Sequence, residues 1–210
     1  MIVSISRELG AGGLSVGEAV ASALGAALLD ERSIIQELSA REGLPAEFIA
    51  ERIERPPSAG QQLIADLAAA SAMIPFTLTW EQPETVIVEG VRALVLERAK
   101  AGHVVVIGHG GVSLLGWRPA GIPVLAVLLR AGKAWRIAQL ARRFGIPAEE
   151  AQRRIERTDA ARLRFQRHYF NSDLYDSRQY DLVLCSETLG LDTAIRIAVD
   201  AASRAAAVRV

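Results

Sequence analysis

The 210-residue chain is poor in cysteine and lysine and has no net charge. Its one cysteine, Cys185, excludes an internal disulfide and is typical of a reducing compartment. The formal net charge of +0 argues against general nucleic-acid binding. No apolar stretch reaches membrane-spanning length without a break, and Arg7 and Glu8 interrupt the apolar start too early for a signal peptide. These absences predict a cytoplasmic protein that binds neither nucleic acid nor a membrane.

The charges that are present are unevenly distributed. Half of the residues are hydrophobic, which is enough for a sizeable core in a single domain over 1–210. Between Arg130 and His168, the sequence contains eleven arginine or lysine residues but only four aspartate or glutamate residues. Such an excess of positive charge predicts a region that attracts anions.

The first thirty residues have the order strand, glycine loop, helix, strand, acid. An apolar run at 2–6 leads into a glycine cluster, a helical stretch that ends at Gly25, a second apolar run at 26–29 and Asp30. The clustered glycines are Gly10, Gly12, Gly13 and Gly17. A crossover of this kind begins most nucleotide-binding α/β sheets, because glycines let the backbone approach a phosphate at a helix N-terminus.

This loop matches neither standard phosphate-binding pattern. Gly12 and Gly17 have the P-loop spacing, but Glu18 follows where that pattern needs lysine. The dinucleotide pattern needs a third glycine where Ser15 stands. A tight turn that binds nothing therefore remains an alternative.

Further short apolar runs predict an α/β fold. The predicted strands lie at 103–107, 123–129 and 181–185. The predicted helices lie at 31–40, 45–53, 61–73, 84–101, 134–144, 147–167 and 189–207. Strands that are apolar throughout are buried on both faces, so we expect a mostly parallel sheet with helices on each side. The region 31–83 contains no convincing central strand, and we expect it to form an inserted helical lobe. The terminal helix is expected to cover either the sheet or a partner subunit, so a homodimer is possible.

Four segments together resemble the cytidylate kinase-like family, a branch of the nucleoside monophosphate kinases. They are Ile5-Ser6-Arg7-Glu8-Leu9-Gly10-Ala11-Gly12-Gly13, Leu29-Asp30-Glu31-Arg32-Ser33-Ile34-Ile35, Val105-Val106-Ile107-Gly108-His109-Gly110, and the stretch from Phe144-Gly145-Ile146 through Asp159 and Arg162 to Tyr180-Asp181-Leu182-Val183-Leu184.

The resemblance implies a three-layer P-loop kinase-like fold with a core sheet, an inserted lobe and an arginine-rich lid. The monophosphate-binding lobe would be 31–83 and the lid 142–178. The implied reaction transfers the γ-phosphoryl group of ATP, with Mg²⁺, to a nucleoside monophosphate such as CMP. Phosphoryl transfer depends on positioning and positive charge, which suits the basic region.

The resemblance assigns the donor nucleotide to the glycine loop and the arginine before it. The implied nucleotide-binding residues are Arg7, Gly10, Ala11, Gly12, Gly13, Leu14 and Ser15. Ser15 falls where relatives have Ser or Thr, which makes it the candidate Mg²⁺ ligand; a helix N-terminal cap is the alternative.

One departure from the family pattern concerns the loop lysine. Classical cytidylate kinases carry that lysine at the position of Gly13, whereas this chain has no lysine before Lys100. Arg7 or a lid arginine would have to replace it. The alternative for Arg7 is a surface ion pair with Glu8 or a similar acid.

Asp30 and His109 are the candidate acceptor-binding residues. Asp30 follows the second strand and would accept from a ribose hydroxyl or a base amino group, with a helix N-cap as the alternative. His109 lies in a turn where classical relatives have an arginine that grips the acceptor phosphate. Because histidine is mostly neutral near pH 7, acceptor binding would be weakened or altered.

Arg157, Asp159 and Arg162 are the candidate catalytic residues of the lid. Arg153 and Arg157 share a helix face, and Arg162 lies three residues after Asp159, a spacing that suits an ion pair orienting the guanidinium towards phosphate. A solvated helix face is the alternative.

Two other functions remain open. Without the loop lysine and with His109, the protein would be a catalytically weak pseudokinase that binds nucleotides in a regulatory role. Asp30 lies about twenty residues after Gly10, as does the ribose-binding acid of a Rossmann-type dinucleotide-binding protein. The basic lid and inserted lobe argue against that second possibility.

Overall fold

The computed structural model describes residues 1–53, 83–116 and 118–207. Its sheet contains five strands. They are β1 (Ile2–Arg7), β2 (Ala27–Leu29), β3 (Val104–Ile107), β4 (Val124–Arg130) and β5 (Leu182–Cys185).

Helices connect these strands and cover the sheet. They are α1 (Gly13–Leu24), α2 (Glu31–Glu42), α3 (Ala46–Arg52), α4 (Pro83–Ala101), α5 (Lys133–Phe144), α6 (Ala148–Phe170), α7 (Ser186–Leu189) and α8 (Leu191–Ala207), with short 3₁₀ helices at Gly111–Leu115 and Ser177–Gln179.

All the described strand pairs are parallel, in the order β2-β3-β1-β4-β5. Ile2 is level with Val104 of β3 on one side and with Val124 of β4 on the other. Parallel strands place their carboxyl ends at the same edge of the sheet. The turns after β1, β2 and β3, which carry the predicted site residues, therefore share that edge.

The core has two parts, one on each face of the sheet. Alternate residues of a strand point to opposite faces, so Ile2 packs with α2, α3 and α4, whereas Val3 and Ile5 pack with α1 and α8. The result is the predicted three-layer α/β arrangement.

Local sequence explains most element boundaries. The stretch 84–101 is strand-like in composition at its start, but its apolar residues continue at helical spacing, and α4 forms as predicted. The terminal helix differs from the prediction because Gly190, at φ 76, separates α7 from α8.

The predicted helix at 61–73 lies outside the described residues, so the proposed lobe 31–83 remains a prediction, as does the lid boundary 142–178. Among the helices that the structure describes, none is both long and apolar enough to cross a membrane.

Candidate functional site

The glycine loop connects β1 to α1 in a tight turn at the carboxyl edge of the sheet. Gly10 and Gly12 have φ angles of 87° and 90°, which favour glycine. A Cβ on Gly10 would lie 3.0 Å from the carbonyl oxygen of Arg136, and one on Gly12 would collide with Leu191. At Gly10 and Gly12 the loop therefore lies close against α5 and the start of α8.

Arg7 packs against Gly13, the position at which the sequence analysis noted the missing lysine. A Cβ on Gly13 would be 2.8 Å from Cγ of Arg7, so the aliphatic part of this arginine occupies the space next to the loop. Gly13 itself is not among the residues with positive φ. The absence of a side chain at position 13 therefore makes room for Arg7.

A cavity of about 550 Å³, here called the main cavity, opens beside the loop. Most of the predicted nucleotide-binding residues line it, and their neighbours α5 and α6 contribute further arginines. Its lining includes Arg7, Gly10, Gly12, Gly13, Leu14, Ser15, Asp30, Arg142, Arg143 and Arg162. Ala11, within the loop, is fully buried and is not in this lining. A cavity of this size, lined by several arginines, suits an anionic ligand.

A much smaller pocket of about 20 Å³, here called the His109 pocket, lies on the β3 side. His109 is 2% exposed and has φ 55, within a turn in which Gly108, Gly110 and Gly111 also have positive φ. Arg7 and Arg162 line both this pocket and the main cavity. Two arginines thus stand at the junction of the two spaces.

A helix N-cap is the alternative role for both Ser15 and Asp30, and the structure shows such a cap only for Asp30 of the two. The N-cap of α1 is Gly12, without a side-chain cap bond, so the N-cap alternative for Ser15 is wrong. Asp30 does cap α2: its Oδ1 accepts from the Ser33 N–H at 2.8 Å, and Ser33 Oγ accepts from the Asp30 N–H at 2.9 Å. Asp30 also lines the main cavity, so capping leaves its acceptor role a prediction.

Asp159 is engaged by a residue that the sequence analysis did not select. Its Oδ2 forms an ion pair with Nη1 of Arg136 at 2.5 Å, and its Oδ1 accepts from the Leu9 N–H at 2.9 Å. Arg136 and Leu9 are thus partners of Asp159 that helix spacing did not predict, and the predicted pairing of Asp159 with Arg162 stays a prediction. Arg162 Nη1 donates to the Arg7 carbonyl at 3.4 Å.

The lid arginines that face the main cavity are only partly those predicted. Arg157 is exposed on α6 and is absent from the lining of both the main cavity and the His109 pocket. Arg142 and Arg143, at the end of α5, do line the main cavity. The sequence shows the excess of positive charge in this region, but which of its arginines face the main cavity depends on how α5 packs on α6.

Glu8 and Tyr175 extend the polar cluster around Arg136. Glu8 Oε2 accepts from the Ala131 N–H at 2.9 Å, and the Tyr175 hydroxyl donates to Glu8 Oε1 at 3.3 Å. Partial burial, followed by the charge of Glu8, raises the pKa of Tyr175 to about 12. The tyrosine is therefore a neutral donor at any ordinary pH.

The described residues contain no group of three or more His, Cys, Asp or Glu side chains arranged to hold a metal ion. Ser15, in the first turn of α1 and in the lining of the main cavity, offers one hydroxyl. A magnesium ion carried by a triphosphate brings phosphate oxygens and waters as its other ligands, so one protein hydroxyl fits such an ion.

Comparison with known proteins relates this chain to nucleotide kinases. The model of the cytidylate kinase-like family matches residues 2–188. A cytidylate kinase from Pyrobaculum calidifontis is 26% identical over 200 residues, which cover 95% of this chain and 91% of that protein.

Solved structures give the same fold at lower sequence identity. An uncharacterized protein from Eubacterium ventriosum has a TM-score of 0.68 at 16% identity, with 97% of this chain and 98% of that chain covered. A gluconokinase from Sinorhizobium meliloti has a TM-score of 0.50 at 19% identity, with coverage of 98% and 93%. With the sheet order, these likenesses confirm the predicted P-loop kinase-like fold class.

Proposed function

The chain belongs to the cytidylate kinase-like family, and on that premise we propose that it transfers the γ-phosphoryl group of ATP to a nucleoside monophosphate, CMP in particular. The observation that carries this proposal is the position of Arg7 and Arg162, which line both the main cavity and the His109 pocket. A phosphoryl group that moves between two nucleotides passes such a junction. Guanidinium groups there stabilise the charge on its oxygens.

In this proposal the donor MgATP occupies the main cavity, with its phosphates against the N-terminus of α1. The free N–H groups of that terminus and the helix dipole favour phosphate. An oxygen of the acceptor's phosphate attacks the γ-phosphorus, the bond from that phosphorus to the β–γ bridging oxygen breaks, and ADP leaves. Ser15 is the proposed protein ligand of the magnesium ion that accompanies the donor.

Arg7 is proposed to supply the cation that the loop lysine supplies in classical cytidylate kinases. Its stem packs against Gly13, and it lines the main cavity next to the glycine loop. An arginine binds phosphate through several fixed donors, whereas a lysine acts as a compact point charge. The replacement therefore keeps the charge and changes the geometry of the contact.

The acceptor is proposed to approach from the side of β2 and β3. Asp30 follows β2 and His109 follows β3, so the acceptor's phosphate would lie near the His109 turn and its nucleoside in the part of the main cavity next to Asp30. Arg157, which is exposed, would reach the transferred group only after a movement of α6.

The direct test is a coupled assay of ADP release with MgATP and each common nucleoside monophosphate. We expect the highest kcat/KM with CMP and only background hydrolysis without an acceptor. No ADP release with any monophosphate would contradict the proposed reaction. A preference for another monophosphate would leave the kinase reaction intact and contradict CMP as the acceptor.

A nucleotide-binding pseudokinase is the second candidate, favoured by the burial of His109, in the turn where the resemblance implies an arginine in classical relatives. It predicts that ATP binds in a direct titration while ADP release stays at background. The dinucleotide-binding alternative is contradicted by topology, because β3 lies between β2 and β1, whereas the Rossmann order places β2 next to β1.

A further inference from the structure

Arg136 is a buried arginine at the centre of contacts among α5, α6 and the segment that leads into the glycine loop. Its side chain is 7% exposed. Its Nε donates to the Ala131 carbonyl at 2.9 Å, and its Nη1 donates to the Leu9 carbonyl at 3.1 Å as well as to Asp159. One guanidinium thus joins the end of β4, the glycine loop and α6.

Both backbone polar groups of Leu9 form hydrogen bonds with this ion pair. Its N–H donates to Asp159 Oδ1, and its carbonyl accepts from Arg136. Because Leu9 directly precedes Gly10, the Arg136–Asp159 pair fixes the backbone at the entry to the loop. Glu8, whose Oε2 lies 3.6 Å from Arg136 Nε, adds a second carboxylate to the same guanidinium.

A second ion pair joins the same two helices and gives a natural comparison. Lys133 of α5 pairs with Glu156 of α6, and both side chains are 49% exposed. Exposed pairs of this kind contribute little to stability, and burial of an ion pair is by itself weak evidence that the pair stabilises the fold. The buried pair differs from the exposed one in its contacts with Leu9, which points to a role in placing the loop and the lid relative to each other.

We propose that Arg136 and Asp159 are positioning residues, whose ion pair holds α6 against Leu9 so that Arg162 lies beside Arg7. Arg162 follows Asp159 by three residues, about one helical turn, and its Nη1 donates to the Arg7 carbonyl. The position of Asp159 therefore sets that of Arg162. This proposal rests on the proposed function only for its kinetic consequence; the contacts with Leu9 are independent of it.

The kinetic test combines Asp159→Asn with Arg162→Ala. Asp159→Asn keeps the size of the side chain and removes its charge, and we expect kcat to fall about tenfold or more if Arg162 loses its placement. If the pair acts through Arg162, Asp159→Asn should have little further effect in the Arg162→Ala background. An equal fall in kcat in both backgrounds would overturn the proposal, because a general loss of structure adds to any other change.

Glu156→Gln is the matched control, since it breaks the exposed pair between the same helices. It should leave kcat and KM unchanged. Arg136→Lys is the milder second variant: a lysine keeps one charge for Asp159 but cannot make all the guanidinium contacts, so kcat should lie between those of the wild type and Asp159→Asn. A fall in kcat with Glu156→Gln as large as with Asp159→Asn would overturn the specific role of the buried pair.

Hydrogen–deuterium exchange gives a readout that does not require turnover. The amide of Leu9 should exchange faster in Asp159→Asn and Arg136→Lys than in the wild type or Glu156→Gln. Unchanged exchange at Leu9 would overturn the proposal. If the wild type releases no ADP with any monophosphate, the proposed function fails, and the exchange result alone still decides whether the pair holds the loop.

Discussion

Two turns at the carboxyl edge of the sheet contain clustered glycines, yet they are used differently. The loop after β1 has Gly10 and Gly12 at positive φ and borders a cavity of about 550 Å³. The turn after β3 contains His109 between glycines at positive φ and borders a pocket of about 20 Å³. Glycine lets protein atoms approach in both turns, but only the first of the two also borders a cavity of a size that suits a small-molecule ligand.

The packing around the second turn explains its glycines. A Cβ on Gly110 would collide with the ring of Phe170, and one on Gly111 with the hydroxyl of Ser6. The end of α6 is held there by a buried polar network, in which Gln166 donates to Ser113 at 2.8 Å and Ser113 donates to Gln179 at 3.0 Å. Clustered glycines therefore indicate close approach, and only the surroundings show what approaches.

The largest effect that separates the two turns is expected from Gly12→Val. A valine at φ 90 would strain the backbone and collide with Leu191, so the loop N–H groups that are proposed to hold the donor phosphates would be displaced and ATP binding should be lost. Calorimetric titration with ATP measures this, with Gly12→Ala as a milder variant and a thermal melt to show that the protein is folded. Unchanged ATP affinity in folded Gly12→Val would contradict the assignment of the loop.

Gly110→Ala is the matched change in the second turn. The clash with Phe170 and the positive φ should lower the free energy of unfolding by about 1–3 kcal/mol. ATP affinity should stay the same, because this turn does not line the main cavity. Urea unfolding and ATP titration distinguish the two outcomes, and a loss of ATP affinity in the folded variant would erase the difference between the turns.

Arg162→Ala tests the junction between the two spaces. Charge develops on the phosphoryl oxygens during transfer, so kcat should fall about tenfold to a thousandfold while the Kd for ATP hardly changes. Arg164→Ala, an exposed neighbour on α6, is the control and should be silent. A higher Kd with kcat intact would assign Arg162 to ground-state binding. No change in either value would favour a solvated helix face and the pseudokinase.

Arg7 and Gly13 together test the replacement of the loop lysine. Arg7→Ala should weaken ATP binding about tenfold to a hundredfold, the value of one charge-assisted contact. Gly13→Lys alone should bring no gain, because its Cβ would lie 2.8 Å from Cγ of Arg7. The double variant Arg7→Ala/Gly13→Lys should recover part of the lost affinity. Failure of that recovery, in a folded protein, would mean that another cation serves the donor phosphates.

The smallest effect is expected at Tyr175, on the rim of the Arg136 cluster. Its folded-state pKa of about 12 lies above the ordinary value of 10.0, so its neutral form is favoured in the folded protein. The resulting stability is present below about pH 10 and is lost as the pH rises towards 12. Tyr175→Phe should reduce the alkaline decline in the free energy of unfolding. Since Tyr175 is 43% exposed, the change is small, and an identical pH profile would show that the Glu8 contact is not maintained in solution.

Much of the fold was predictable because it depends on local pattern. Apolar runs that are buried on both faces, and helices ended by Gly25 and Gly145, follow from short-range chemistry, and the parallel sheet follows from their alternation. The break at Gly190 was missed, because a single glycine between two helical patterns is compatible with either outcome.

The sequence by itself determined the α/β class, the glycine loop, the basic region and the absence of a loop lysine. Only the tertiary structure decided that Arg7 lies over Gly13, that Asp159 pairs with Arg136, and that Arg142 and Arg143 face the main cavity while Arg157 does not. The physical reason is distance along the chain: Asp159 lies 23 residues from Arg136 and 150 from Leu9. Spacing within one helix predicts contacts between neighbours on that helix, whereas these contacts depend on how separate helices pack against one another and against the edge of the sheet.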